Sequence, residues 1–412
     1  MRQAVILGAG ESSRFWPLNS QHKSLIKIMG KPLIFYLLKG LQESGIEEII
    51  IVQSPKRDIE KELTPFNFSN LKFVIQEKPL GTGNALLKAE KLLKDDFLLM
   101  NAERLDARDY LKDILEKAER RNLVILAGPT KTPHLFGILK VKGDKVLDII
   151  EKPKKEQAPS NLRNIGFYFL PIDFFDYLKR IPPHPYSLVQ AIVLYAKEKE
   201  VKMAFTEKRP LFLKFPWDLF RYEEYLFDNF LEDKIGQDTE ISKNAKIKGK
   251  VQIGRNVKIY RSEILGPCYI GDNTIVETNS LICKYSNLEN NTYIGSFTQI
   301  KNCICQKNIK IHSGFFGYSI MAQNCEIGAG TVLSCMRFDK EPVKTTLKGE
   351  RVSTGLRFFG AVLGENTKIG VNCSLMPGVM IGKDCIIGPH SFVKENIEDE
   401  KLFYTKFENF KK

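Results

Sequence analysis

The apolar residues of this chain follow two different patterns, one on each side of about residue 238. Before that point, short apolar runs alternate with stretches whose apolar residues recur every three or four positions, as they do where strands alternate with helices. The predicted strands cover 3–7, 48–53, 72–76, 97–100, 124–127 and 166–170, and the predicted helices cover 32–44, 83–93, 110–120, 186–199 and 217–231. This order predicts an α/β domain followed by a bridging helix.

After residue 238, aliphatic residues recur every six positions, often with a glycine directly behind them. Neither an α-helix nor a β-hairpin has this period, whereas a coil with three faces places one aliphatic side chain per face in its core. The repeat therefore predicts a left-handed parallel β-helix. Its positions form three runs: 241, 247, 253 and 259; then 264, 270, 276, 282, 288, 294 and 300; then 363, 369, 375, 381, 387 and 393.

These patterns predict the organisation of the chain. The α/β domain occupies residues 1–216, the bridging helix and linker 217–237, the coil 238–400, and a C-terminal tail 401–412. A charged excursion over 336–359 interrupts the six-residue repeat, and we expect it to project from the coil as a loop.

Composition bears on the binding partners and on the state of the cysteines. The net charge of +13 is spread along the 412 residues rather than gathered in a basic stripe with aromatic residues, so we expect no nucleic-acid partner. No apolar run reaches the length needed to cross a membrane, so we expect no membrane partner and a cytoplasmic protein. All eight cysteines follow residue 260 without a zinc-site spacing, which favours reduced, buried thiols.

The first candidate site follows the first predicted strand. Gly8, Ala9 and Gly10 form a turn whose backbone N–H groups can approach an anion, and Arg14 and Lys23 follow closely. Arginine offers a bidentate fork and lysine a mobile point charge, both suited to phosphate. A dinucleotide-binding fingerprint would need a third glycine where Ser13 stands, and a turn without a ligand is the other alternative. The two basic residues favour a phosphate site.

This segment resembles the signature of the sugar-1-phosphate nucleotidylyltransferases. Ser12 departs from the pattern, which has a second glycine there. The resemblance implies that Gly8, Ala9 and Gly10 hold a nucleoside triphosphate and that Arg14 and Lys23 are catalytic. The residues that carry it are Ala9, Gly10, Arg14, Pro17, Leu18, Lys23 and Gly30–Leu33.

Residues 76–85 resemble the base-recognition segment of the same family. The resemblance implies that Gln76, Gly81 and Thr82 bind the nucleotide base, through amide and hydroxyl groups and through the close approach that a glycine permits. Thr82 could instead cap the helix that follows.

The metal site departs most from the family pattern. Glu103 ends a predicted strand where the family has an aspartate that binds Mg²⁺, and Asp106 is a nearby substitute. Phe212 stands at the second ligand position, so only Asp218 offers a carboxylate there, unless it caps the bridging helix. The resemblance thus implies Mg²⁺ held by Glu103 and Asp218.

Three further fragments resemble the sugar side of the family's active site. The resemblance implies that Gly137, Glu151 and Asn164 contact the sugar, and that Lys152 binds its phosphate and is catalytic.

The coil resembles the acetyltransferase half of the archaeal bifunctional sugar-1-phosphate nucleotidylyltransferases that act on amino sugars. The resemblance implies acetyl-CoA as a cofactor, His312 as the general base and assembly as a trimer. Gly314, Phe315 and Tyr318 replace polar residues of that pocket, which predicts little or no acetyl transfer.

Together these features predict a Rossmann-like α/β nucleotidyltransferase domain followed by a left-handed parallel β-helix. The expected reaction joins a nucleoside triphosphate and a hexose-1-phosphate into a nucleotide sugar and pyrophosphate. The alternative is a non-catalytic paralogue that binds nucleotide or sugar phosphate as a regulatory or scaffold protein.

Overall fold

The computed structural model describes residues 3–118 and 122–406, which form two compact units. The first unit contains the described residues of Met1–Glu11 and Pro32–Phe212, and the second contains those of Ser12–Lys31 and Leu213–Lys412. Residues 119–121, where the predicted helix 110–120 ends, and residues 407–412 of the predicted tail lie outside the described residues.

The first unit is built on a sheet of nine strands among the described residues, in the order β3-β2-β1-β4-β8-β5-β9-β7-β6. Strands β1 to β4 are mutually parallel, β8 runs antiparallel to both of its neighbours β4 and β5, and β9 is parallel to β5. The strands are β1 (Gln3–Gly8), β2 (Glu48–Gln53), β3 (Leu71–Ile75), β4 (Phe97–Asn101), β5 (Leu123–Pro129), β6 (Gly137–Lys142), β7 (Lys145–Glu151), β8 (Leu162–Leu170) and β9 (Val201–Phe205).

Helices connect these strands because their apolar residues recur on one face. In the first, α1, Leu33, Leu37 and Leu41 are buried at intervals of four residues, and the helix ends just before Gly45, whose φ of +83° no longer fits a helix. The α-helices of the chain are α1 (Leu33–Glu43), α2 (Asp58–Leu63), α3 (Thr82–Ala89), α4 (Leu111–Lys117), α5 (Phe174–Leu178), α6 (Ser187–Glu198) and α7 (Leu219–Phe230), the last of which belongs to the second unit.

The second unit is a coil whose short parallel strands stack into three sheets. One sheet contains Lys234–Ile235, Val251–Ile253, Cys268–Ile270, Ser286–Leu288, Ile304–Cys305, Ile320–Met321, Val362–Leu363 and Met380–Ile381. The second contains Glu240–Ile241, Lys258–Ile259, Ile275–Val276, Tyr293–Ile294, Lys310–Ile311, Glu326–Ile327, Lys368–Ile369, Ile386–Ile387 and Leu402–Phe403. The third contains Lys246–Lys248, Glu263–Leu265, Leu281–Cys283, Thr298–Lys301, Gly314–Gly317, Thr331–Leu333, Ser374–Leu375 and Phe392–Val393.

The six-residue repeat fills the core of the coil, as the sequence predicts. Every repeat position from 253 to 300 and from 363 to 393 is buried, while Ile241 and Ile247 at the first turns are partly buried against the same core. The stretch between 301 and 362, where the repeat is not evident in the sequence, also supplies inward residues. They are Cys305, Ile311, Phe316, Met321, Ile327 and Leu333.

A ladder of asparagines lines one edge of the coil. Asn256, Asn273 and Asn291 have φ values of 52°, 58° and 60°, in the left-handed region that asparagine tolerates. Each side-chain amide donates to the carbonyl oxygen of the next asparagine, at 2.9 Å and 3.1 Å for these first steps. The ladder continues through Asn308, Asn324 and Asn366 to Asp384.

The ends of the coil differ from the expected limits. A strand at Lys234–Ile235 precedes residue 238, and Leu402–Phe403, expected in the tail, pairs with Ile386–Ile387 as part of the coil. Ile235 lies six positions before Ile241 and extends the repeat by one position towards the N-terminus. The excursion over 336–359 contains a hairpin of Lys344–Leu347 and Glu350–Ser353.

The cysteines are all free thiols, and six of the eight are buried. Among the described residues, no helix has both the length and the apolar character that a membrane-spanning helix needs.

Helix α7 carries a carboxylate that is fully buried. Glu223 is 0% exposed, and neither carboxylate oxygen has a hydrogen-bond partner among the described residues. Phe227, which lies four residues further along α7, stacks on Tyr285 of the coil with ring centroids 6.3 Å apart, so this side of the helix lies against the coil. Burial raises the pKa of Glu223 well above its ordinary value of 4.5.

This pKa shift predicts a pH-dependent stability. The folded protein keeps a proton on Glu223 that the unfolded chain releases above pH 4.5, so stability is lost as pH rises from there towards the raised pKa. We expect Glu223→Met to gain stability over the wild type by up to about 1.4 kcal/mol for each pH unit in that window. Urea unfolding from pH 4.5 to 8 measures the difference.

The exposed neighbour Glu224 provides the matched control. Glu224→Met should change stability by a similar small amount at every pH. A constant difference between Glu223→Met and the wild type across the range would contradict the prediction.

Candidate functional site

Several candidate residues of the first unit lie at one edge of its sheet. Gly8 ends β1, and its neighbours β2 and β4 end at Gln53 and Asn101 in matching register. A Cβ on Gly8 would lie 2.4 Å from Cδ1 of Ile59, so only glycine fits there without a shift. Gly10 has open space around it, and Ala9 is half-buried. This edge, at the carboxyl ends of parallel strands, is where open α/β sheets bind ligands.

The predicted base-recognition residues form a compact turn at the start of α3. The Gln76 side-chain amide donates to the Gly81 carbonyl at 3.1 Å and to Oδ1 of Asn84 at 3.0 Å. Gly81 has a φ of +100°, and a Cβ there would lie 2.4 Å from the His184 carbonyl oxygen. Glycine at 81 is therefore required by the chain's own backbone. Thr82 is exposed and is the first residue of α3 rather than its cap.

Glu151 and Gly137 lie opposite each other on β7 and β6. A Cβ on Gly137 would lie 2.6 Å from Oε1 of Glu151, so the glycine makes room for this carboxylate. Burial raises the pKa of Glu151, and the adjacent Lys152 opposes that shift. Nζ of Lys152 lies 3.0 Å from the Tyr186 hydroxyl. An acceptor and a cation thus lie side by side, as recognition of a sugar phosphate requires.

Asn164 lies on β8 at an irregularity in the pairing with β5. Its Nδ2 donates to the Tyr168 hydroxyl at 2.8 Å, and its Oδ1 accepts the Gly166 N–H at 2.9 Å. Gly166 has a φ of +77°, which explains the glycine at this bulge. The irregular strand fixes the amide of Asn164 in one orientation.

The turn after β4 places Glu103 half-buried and Asp106 in the interior. Oδ2 of Asp106 accepts the Leu211 N–H at 2.8 Å and lies 3.4 Å from Nη1 of Arg104. Burial raises the pKa of Asp106, while Arg104 opposes that shift. Arg104 also donates to the Leu211 carbonyl oxygen at 2.5 Å. Asp106 and Arg104 together clamp the backbone just before Phe212.

Phe212 is in contact with two arginines that the sequence analysis did not single out. The guanidinium carbon of Arg163 lies 4.2 Å from the centroid of the Phe212 ring, and that of Arg104 lies 5.1 Å from it. Arg163 also lies 4.6 Å from the ring centroid of Phe136. The sequence held one indication that these arginines lie near the site, since each is adjacent to a candidate residue. Arg104 directly follows Glu103, and Arg163 directly precedes Asn164.

In the second unit, Arg14 is exposed on a short 3₁₀ turn, Ser13–Phe15. Ser12, which precedes it, has a φ of 52°, the conformation that explains the glycine of the family pattern. The Lys23 N–H lies 3.4 Å from the Ser12 hydroxyl oxygen, and the Lys23 ammonium donates to the Leu213 carbonyl at 2.6 Å. These contacts fold residues 12–23 into a defined loop.

Polar side chains of the coil, namely the half-buried Gln306 and the buried Asn287 and Glu289, hold the residues that follow this loop. Gln306 forms two hydrogen bonds with the backbone of Lys27, accepting its N–H at 3.1 Å and donating to its carbonyl at 2.9 Å. Asn287 accepts the Met29 N–H at 2.8 Å, and Glu289 accepts the Gly30 N–H at 3.1 Å. The coil therefore determines the backbone of this segment.

Asp218 acts as a cap within the second unit. Its Oδ2 accepts the N–H groups of Lys214 and Phe215, both at 2.8 Å, just before α7. Burial raises the pKa of Asp218, and these two hydrogen bonds oppose that shift. The hydrogen bonds support the capping role that the sequence left open.

His312, the expected general base, has an exposed side chain on the coil. That side chain forms no hydrogen bond to another side chain among the described residues. Elsewhere on the coil, Nε of Arg337 donates to Asp339 at 2.8 Å, and the Tyr318 ring stacks on Phe358 with centroids 5.1 Å apart.

Comparison with known proteins places the chain in a family. A family model described as nucleotidyl transferase matches residues 3–211, and a model of six bacterial transferase hexapeptide repeats matches residues 360–395. The chain is 32% identical over 98% of both lengths to the bifunctional protein GlmU of Methanococcus vannielii. A UDP-glucose pyrophosphorylase of Acinetobacter baumannii, 22% identical, covers 56% of this chain and 95% of its own with a TM-score of 0.48.

The chain therefore belongs to the nucleotidyl transferase family. A relative in Sulfurisphaera tokodaii, 31% identical over 97% of this chain and 99% of its own, is named a bifunctional sugar-1-phosphate nucleotidylyltransferase/acetyltransferase. The family resemblance and the fold class that the sequence predicts are both confirmed.

Members of this family generally use a divalent metal ion, but the donor set here does not fit a magnesium site of two carboxylates. Asp218 caps a turn, and Phe212 lies against two guanidinium groups. The described residues contain no group of three or more histidine, cysteine or carboxylate side chains that could hold a metal ion.

The hydrogen bonds between residues 27–30 and the coil lead to a prediction. We expect Asn287→Ala to raise the hydrogen-exchange rate of the Met29 amide by about tenfold, because the amide loses its acceptor. Gln306→Ala should do the same at Lys27. Exchange measured residue by residue at neutral pH tests both.

Asn291→Ala is the control, because Asn291 belongs to the asparagine ladder and does not hold residues 27–30. Unchanged protection of Met29 in Asn287→Ala, or an equal loss in Asn291→Ala, would contradict the anchoring role of Asn287.

Proposed function

We propose that this protein transfers a nucleotidyl group from a nucleoside triphosphate to a hexose-1-phosphate. A phosphate oxygen of the sugar-1-phosphate attacks the α-phosphorus, the bond to the β-phosphate oxygen breaks, and a nucleotide sugar and pyrophosphate form. Such transfers depend on positioning and on neutralising charge, which are tasks for fixed polar and cationic side chains.

The observation that carries this proposal is the arrangement of Glu151, Lys152 and Asn164 around one region of the sheet. Gly137 leaves space for the Glu151 carboxylate, and the bulge at Gly166 orients Asn164. In this proposal Glu151 and Asn164 bind sugar hydroxyls, and Lys152 binds the phosphate that attacks. These are the roles that the family resemblance assigns.

In this proposal the nucleotide is bound by the N-terminal signature and by the base-recognition segment 76–85. Gly8, Ala9 and Gly10 present backbone N–H groups to the triphosphate, and Gln76, Gly81 and Thr82 recognise the base. Arg14 and Lys23 neutralise the charge that moves from the α-phosphorus to the leaving pyrophosphate. Glu103 and Asp218 have no step in this proposal, because the donor set around them does not fit magnesium.

The coil serves assembly in this proposal rather than acetyl transfer. Its surface carries exposed apolar residues, among them Phe297 at 73% and Phe392 at 49% exposed, which suits a homo-oligomer such as a trimer. We place the reaction in the cytoplasm, where nucleoside triphosphates and reduced thiols occur.

Pyrophosphate release tests the proposed function. We expect release when the protein is given a panel of nucleoside triphosphates with hexose-1-phosphates, and we expect Lys152→Met to lower kcat/KM by about a hundredfold or more. Lys140→Met is the matched control, since Lys140 is an exposed lysine on β6. Nucleotide binding without release for any pair would instead support the non-catalytic alternative.

The coil leads to a second prediction. We expect no acetyl transfer from acetyl-CoA to glucosamine 1-phosphate above the uncatalysed rate, because no side chain within residues 3–118 and 122–406 forms a hydrogen bond that would orient the His312 imidazole. Release of free coenzyme A reports the reaction. Release that His312→Ala abolishes would show that the coil is a second catalytic site.

A further inference from the structure

The surroundings of Phe212 differ chemically from a metal site. Two guanidinium groups lie within 4.2 and 5.1 Å of its ring centroid, at the position where the family resemblance implies a carboxylate. A divalent cation at this point would be repelled by both positive charges. We propose that Arg163 is a phosphate-binding residue, and that it binds the phosphate of the sugar-1-phosphate without a divalent metal ion.

Phe212 is held rigidly enough to support such a residue. Arg104 and Asp106 bind the carbonyl and the N–H of Leu211, the residue before it. Arg104 has a side chain only 5% exposed, so this clamp lies in the interior. Arg104 is therefore a positioning residue, which fixes the Phe212 ring through the backbone.

The guanidinium group of Arg163 packs against two aromatic rings. Its guanidinium carbon lies 4.2 Å from the Phe212 centroid and 4.6 Å from that of Phe136, and the two rings are themselves 5.5 Å apart. A guanidinium group uses its faces for cation–π contact with aromatic rings, and it binds phosphate oxygens through the N–H groups at its edge. An arginine ordered in this way loses little further entropy when it binds a planar pair of phosphate oxygens.

The neighbours of Arg163 are the residues of the sugar side. Phe136 precedes Gly137, and its carbonyl accepts the Lys152 N–H at 2.9 Å. Arg163 directly precedes Asn164 on β8, and its Cα pairs with Ile138 on β6. The stacked arginine thus belongs to the same region as Glu151, Lys152 and Asn164, which makes a phosphate monoester its most suitable ligand.

This inference rests on the proposed function for the identity of the sugar-1-phosphate, whereas phosphate binding is measured without turnover. Isothermal titration of the full chain in EDTA uses two probes, glucose 1-phosphate and inorganic pyrophosphate. Each is repeated with excess Mg²⁺. The variants are Arg163→Gln, which removes the charge, Arg163→Lys, which removes the planar fork, and Phe212→Asp, which introduces a carboxylate.

We expect the wild type to bind glucose 1-phosphate in EDTA with a Kd that Mg²⁺ changes by less than about twofold. Arg163→Gln should weaken binding in EDTA by about tenfold or more, and Arg163→Lys by less than that. Phe212→Asp should bind more weakly in EDTA and regain affinity with Mg²⁺. Arg180→Gln is the control, because Arg180 also lies over an aromatic ring, 5.4 Å from Tyr177, and pairs with Glu198 on the surface.

Three results would overturn the inference. They are wild-type affinity for glucose 1-phosphate in Arg163→Gln, a wild-type protein that binds it only with Mg²⁺, and no binding under either condition. The wild type could instead bind pyrophosphate more tightly than glucose 1-phosphate, and Arg163→Gln could lose that pyrophosphate binding. This result would show that Arg163 binds the leaving pyrophosphate, and it would overturn the assignment of Arg163 to the sugar phosphate. Thermal unfolding of Arg163→Gln shows whether the variant has lost its structure. If it has, the glucose 1-phosphate affinity of Arg163→Lys in EDTA is the measurement that tests the inference.

The experiments distinguish failure of the proposed function from failure of this inference. If pyrophosphate release is absent but glucose 1-phosphate binds in EDTA through Arg163, the proposed function fails and this inference stands. If release occurs only with Mg²⁺ and Arg163→Gln retains it, the function stands and this inference fails.

Discussion

The segment that follows the loop of Arg14 and Lys23 depends on a few hydrogen bonds to polar side chains of the coil. Gln306 and Asn287 hold the backbone of residues 27–29, and Lys23 is tied to Leu213. Polar groups in the interior are costly unless they are paired, so these side chains and the backbone of the segment require each other. Residues 12–31 therefore belong to the compact unit of the coil, although they lie within the α/β signature of the sequence.

This arrangement gives the regular core of the coil a second role, which is to hold residues 27–30. The buried aliphatic residues and the asparagine ladder stack the turns of the coil, and Asn287 and Gln306 on those turns bind the segment. The side chain of His312 takes part neither in the asparagine ladder nor in the hydrogen bonds to residues 27–30. Support of this segment by the coil therefore does not depend on His312.

Much of the fold was predictable because it follows from local periodicity. The six-residue repeat defined the coil, and the alternation of apolar runs defined the strands of the α/β sheet except β6, β7 and β9, where lysines interrupt the pattern. The inward residues between 301 and 362 were not recognised, because Cys305, Phe316 and Met321 replace the usual aliphatic residues. The candidate sugar residues were found by resemblance, whereas Arg104 and Arg163 were not, since a stack between residues distant in sequence leaves no local pattern.

The sequence by itself determined the two kinds of architecture, the family, and a phenylalanine at position 212, where the resemblance implies a carboxylate, because periodicity and motif spacing are properties of neighbouring residues. Only the tertiary structure showed which groups surround Phe212, which backbone groups Asp218 binds, and which unit contains the loop of Arg14. Each of these depends on groups far apart in the chain that come together when it folds. Packing, rather than spacing, brings a guanidinium group onto an aromatic ring and a buried amide onto a backbone N–H.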